Sequence, residues 1–87
     1  MTGKLAVSKS GHDKGQLFVV IGEDDRYLFL ADGNLKSLEK PKKKNRKHVQ
    51  VIKNVPKAVD DILSQSVPVK NLEIKRAIKL YLKQEEN

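Results

Sequence analysis

The chain has 87 residues, a formal net charge of +7 and no cysteine. That length suits one domain, and the missing thiols exclude disulfides, thiolate nucleophiles and Cys-ligated zinc, so apolar packing must hold the core. The charge is local: between Lys36 and Lys53 eight bases face one acid, Glu39, while the other ten bases and ten acids cancel, and such a concentrated positive field attracts polyanions by steering and counterion release.

The N-terminal MTGKLAVSKSG lacks the apolar core of a secretory signal. The longest uncharged stretches, Gly15 to Gly22 and Ile62 to Val69, are eight residues each, against the roughly 20 of a membrane span. The chain therefore reads as cytosolic. Leu5 to Lys9 reads as a first strand, followed by a turn through Ser10-Gly11-His12-Asp13-Lys14-Gly15, where two glycines permit positive φ. Leu17 to Ile21 is continuously apolar, as expected of a central strand buried on both faces. Gly22 to Arg26 turns the chain into a third strand, Tyr27 to Ala31. Asp32-Gly33 favours a tight hairpin, which predicts a returning antiparallel strand around Leu35 to Leu38. After the run KPKKKNRKH, His48 to Ile52 reads as a closing strand. Five short strands in under 50 residues hide their edges most economically by curling into a small barrel, with the basic run as a loop between two of them.

From Val55 the spacing becomes helical. Pro56 suits a first turn, and Val55, Val59, Ile62 and Leu63 share a face as far as Ser64. A longer helix begins at Asn71, read as its N-cap, with Glu73 in the first turn. Ile74, Ala77, Ile78, Tyr81 and Leu82 fall on one face and Lys75, Arg76, Lys79 and Lys83 on the other, while Leu72 and Leu80 fit neither. The expected fold is mainly β with C-terminal helices: a barrel over 1–54 and a two-helix extension over 55–87 packed on it.

The chemistry concentrates in Lys40, Lys42, Lys43, Lys44, Asn45, Arg46, Lys47 and His48, where six cations occupy eight positions. Like charges so close repel, so a free loop is extended and becomes ordered when phosphates relieve the repulsion. Solubility alone calls for spread charge, and KKKNRK also fits a nuclear import pattern. Only four aromatics are present, Phe18, Tyr27, Phe29 and Tyr81, which is too few for a base-stacking platform. That favours recognition of backbone and shape in folded RNA. His12 and Asp13 lie near Ser8 and Ser10, but neighbours in a turn diverge and cannot align a nucleophile, base and orienter. The other histidine, His48, is 36 positions away in a cationic run that repels a metal ion. No enzyme, metal site or cofactor is expected. At a barrel end, Lys9, His12 and Lys14 would add to the same positive surface. Glu23-Asp24-Asp25 is expected to be a solvated hairpin tip facing away from nucleic acid, and the basic helix face either a solvated side or a second RNA contact.

The arrangement LAVSKSGHDKGQLFVVI resembles the KOW segment of small SH3-like barrels in ribosomal proteins and transcription elongation factors. With Ala31-Asp32-Gly33 and KPKKKNRKH added, residues 3 to 53 resemble an archaeal and eukaryotic large-subunit ribosomal protein family with one N-terminal KOW domain, and its short bacterial relatives. The C-terminal part departs from that pattern. The resemblance implies an SH3-like barrel that binds ribosomal or other structured RNA, with Gly11 and Gly15 as turn glycines and the GHDKG loop as a contact. The leading expectation is a non-enzymatic, ribosome-associated RNA-binding protein, with no membrane or small-molecule partner. The alternative is a KOW barrel of a transcription or translation factor that binds proteins, ribosomal proteins among them.

Overall fold

Residues Leu17 to Glu23 form the centre of the fold in a computed structural model that describes residues 2–65 and 69–85. The strands are β1 (Leu5–Ser8), β2 (Leu17–Glu23), β3 (Tyr27–Ala31), β4 (Lys42–Asn45) and β5 (Val49–Val51), with a 3₁₀ turn at Arg46–His48. Two helices follow, α1 (Lys57–Gln65) and α2 (Asn71–Glu85). The sheet is antiparallel in the order β4-β3-β2-β1-β5.

Side-chain alternation along β2 builds two apolar clusters, as its continuous apolar run predicts. Phe18 and Val20 pack with Ala6, Leu28, Leu30 and Val49 on one face. Val19 packs with Leu5 and Ala31 on the other, beneath Val59 and Leu63 of α1 and Ile74 and Ala77 of α2. Connectivity bends this sheet. The outer strands β4 and β5 are joined by only the 3₁₀ turn. Four residue steps from Asn45 to Val49 span at most about 15 Å, whereas the outer strands of a flat five-stranded sheet lie about 19 Å apart. The sheet must therefore curl at the end where this turn joins its outer strands.

Two expectations are corrected here. Leu35 to Leu38 is not a strand: the Asp32 carboxylate accepts the amides of Asn34 and Lys36, both at 2.9 Å. The segment is thereby wound into a loop that leaves Leu35 83% exposed. The strand that returns along β3 is the middle of the basic run, Lys42 to Asn45, which is therefore not a loop throughout; a 3₁₀ turn follows it at Arg46–His48. Lys42, Lys43, Lys44 and Asn45 pair with Leu30, Phe29, Leu28 and Tyr27. Paired residues share a face, so Lys42 and Lys44 stand on the side of the buried Leu30 and Leu28.

The Asp32-Gly33 turn lies against the start of α2. Gly33 has φ +80, and a Cβ there would collide with the Asn71 carbonyl oxygen and approach the Lys75 amide to 3.0 Å. Only glycine fits. Asn71 does not cap its own helix, contrary to expectation. Ile74 N–H already donates to the Lys70 carbonyl at 3.1 Å. The Asn71 side chain instead accepts from Leu38 N–H at 2.8 Å and donates to Glu39 Oε2 at 3.0 Å. In α1 the Pro56 carbonyl accepts the amides of Val59 and Asp60, so that helix starts where the sequence predicts. Ile78, Leu80 and Tyr81 pack on the helix-side cluster, which gives Leu80 a place. Leu72 and Leu82 stay 61% and 49% exposed. No helix among the described residues is long and apolar enough to cross a membrane.

Candidate nucleic-acid interface

The β1–β2 loop is closed by its own backbone. Gly11 and Gly15 take φ +84 and +87. Lys14 N–H donates to Gly11 at 3.2 Å, Gly15 N–H to Ser8 at 2.8 Å and Gln16 N–H to Asp13 at 2.9 Å. This path turns Asp13 inward and His12 and Lys14 outward, where both are exposed.

Asp13 meets the inward face of β4. Its Oδ1 accepts from Ser8 Oγ at 2.7 Å and from Lys44 Nζ at 2.8 Å, while Lys42 Nζ lies 2.7 Å from Oδ2. Lys44 Nζ also donates to the Ser10 carbonyl at 2.7 Å. The Asp13 and Lys44 side chains are only 9% and 11% exposed. Burial pushes the Asp13 carboxyl up, but the Lys42 ammonium beside it and the hydrogen bonds from Lys44 and Ser8 outweigh it. They hold the group well below the usual carboxylate range.

A second own-chain clamp takes Arg46. Its Nε donates to the Asp24 carbonyl at 2.9 Å and its Nη2 to Glu23 Oε1 at 2.8 Å. That guanidinium holds the Glu23 carboxyl below its ordinary value, and the amides of Tyr27 and Arg26 do the same for Asp24. Glu23 of the acidic hairpin tip thus pairs with the basic segment, while Glu23, Asp24 and Asp25 stay exposed, as expected of a solvated tip. Charge attraction and the geometry of the β3–β4 pair bring tip and segment together, since Arg46 N–H donates to the Arg26 carbonyl at 2.9 Å.

The cationic run is therefore divided. Lys42, Lys44 and Arg46 face the chain's own carboxylates, and Asn45 Oδ1 accepts from Lys47 N–H at 3.0 Å, capping the 3₁₀ turn. Lys43 lies on the outer face with its Nζ 4.3 Å from the Tyr27 ring centroid. Lys9, Lys40, Lys47 and His48 are exposed. Lys9 N–H donates to the His48 carbonyl at 2.8 Å, which sets the end of β1 beside the 3₁₀ turn. Lys40 lies apart, in the loop before β4. Sequence reasoning named Asp13 as a turn residue but missed it, with Ser8, as the anchor of β4. Nothing local to Asp13 points to lysines some 30 positions away. Comparison with protein-family models and with curated proteins found no match.

Proposed function

We propose that the chain is a KOW-type, SH3-like barrel that binds structured RNA without catalysis, in association with the ribosome. The observation that carries this reading is the fixed display of Lys9, His12, Lys14, Lys47 and His48 on a loop and a turn that backbone hydrogen bonds hold together. Lys43 and Lys40 add charge from β4 and the loop before it. The curled sheet with a 3₁₀ turn between its outer strands supports the barrel assignment, and the shortage of aromatics supports phosphate and shape recognition. Lys42, Lys44 and Arg46 act at one remove: they stiffen the platform and leave its outward ammonium groups for the ligand. Preorganised charges lose less entropy on binding than a mobile loop would.

Fluorescence anisotropy with ribosomal RNA fragments tests the reading. About five phosphate contacts give a slope of log affinity against log salt near −4.5, on the duplex coefficient. Replacing Lys9, Lys14, Lys43 and Lys47 with alanine flattens that slope. A slope near zero in the parent chain sinks the proposal. Partners that survive nuclease treatment in a pull-down, with no RNA bound, would favour the protein-interaction alternative.

A further inference from the structure

We infer that the groove between the β1–β2 loop and α2 holds one unpaired nucleotide of a folded RNA, its base on an apolar floor and its phosphates on Lys75 and Lys79. This rests on the RNA-binding reading and adds a second contact to it. The groove encloses about 400 Å³, a size typical of small-ligand sites. Leu17, Ile78 and Leu82 supply its floor, and Leu82 is half open to water. A flat base would cover this aliphatic surface. Lys75 and Lys79 are exposed at the rim, one helical turn or about 6 Å apart along the axis. The α2 sequence carries no acid between Glu73 and Glu85.

Polar groups for a base edge are also present. Gln16 Nε2 donates to Asp32 Oδ2 at 3.1 Å, so a carboxamide and a carboxylate meet at the groove wall with acceptor capacity for an exocyclic amino group. Asp32 already receives the amides of Asn34 and Lys36, which disperses its charge. Gly15 lines the groove and also closes the GHDKG loop beside Lys14, so the groove opens directly onto the proposed interface. None of the four aromatics lines it. A single base therefore fits it better than a stacked strand, and unpaired nucleotides are where folded RNA exposes base edges.

The test uses the full chain and two RNA hairpins, identical except that one carries a single bulged adenosine. The bulged hairpin should bind about tenfold tighter, equivalent to about 1.4 kcal/mol. Leu82→Ser, a neutral change at a half-exposed site, should abolish the preference without weakening binding of the paired hairpin. Lys79→Gln should reduce the preference. Circular dichroism establishes that both variants keep α2. Equal binding of the two hairpins by the parent chain overturns this inference and leaves the interface reading standing, whereas binding of neither overturns both. A preference that persists in Leu82→Ser also overturns it. So does poly-L-glutamate that binds the parent chain, but not Lys79→Gln, while the hairpins are not distinguished; that result would assign the groove to an acidic protein segment.

Discussion

Lys44 Nζ donates to Asp13 Oδ1 at 2.8 Å across 31 positions of sequence, and Lys42 reaches the other carboxylate oxygen from the same face of β4. One carboxylate thus offsets a nearly buried ammonium, Lys44, and a partly exposed one, Lys42. Asp13→Asn keeps the shape and removes the charge, leaving those ammoniums facing each other. The expected loss is about 3 kcal/mol, read as a lower midpoint in urea unfolding.

The same pair sets an acid limit. Asp13 has a lower pKa folded than unfolded, so the unfolded chain takes up its proton first as pH falls. The stability it contributes is complete above the ordinary carboxylate range near 4, and it shrinks steadily as pH drops from about 5 toward the depressed folded value. Urea midpoints measured between pH 6 and pH 2, two settings on this scale, should fall more steeply for the parent chain than for Asp13→Asn.

Two lysines three positions apart should behave as different kinds of residue. Lys44→Ala removes a nearly buried cation and leaves Asp13 with Lys42 and Ser8 as partners, so it should destabilise by about 1–3 kcal/mol and scarcely change the salt slope of RNA binding in the population that remains folded. Lys47→Ala alters an exposed group. It should leave the urea midpoint nearly unchanged and reduce the slope by about 0.9. Paired unfolding and salt-titration measurements on the two variants would separate scaffold from interface.

Gly33→Ala combines a left-handed backbone with a collision against the α2 backbone. Strain and overpacking together should cost about 2–4 kcal/mol, lowering Tm by more than about 10 °C for a domain of this size. Gly15→Ala, with φ +87 but open space around the position, should cost only about 1 kcal/mol. The difference between the two isolates the packing contribution.

Asn71→Ala removes the acceptor for a partly buried amide, Leu38 N–H. A loss of about 1–2 kcal/mol is expected, together with faster hydrogen exchange at Leu38. The Glu39 carboxyl, now held below its ordinary value chiefly by the Asn71 side chain, should titrate closer to that value by NMR.

Wherever packing follows apolar pattern, the chain was readable. Leu17 to Ile21 announces burial on both faces, and the 3.6-residue spacing of Ile74, Ala77 and Ile78 announces the inner face of α2. β4 was hidden because its inward positions carry lysine, a residue depleted in strands, and the carboxylate that makes this tolerable comes from a distant turn. Leu35 to Leu38 misled for the opposite reason. Asp32-Gly33 signals a tight hairpin, but Asp32 winds the following residues into a longer loop and Asn71 pins the end of it, so the returning strand starts only at Lys42. The exposed members of the candidate interface were visible as charge. Which cations were already engaged depended on tertiary geometry and could not be counted from the sequence.

A run of near-identical lysines carries little information about how it should align with its neighbour. Slipping β4 by one residue along β3 would reverse which side chains point inward, so Asp13 would meet a single ammonium instead of two. The aspartate therefore serves as a registration key, penalising misaligned pairing of an outer strand that has no apolar residue of its own to fix its position.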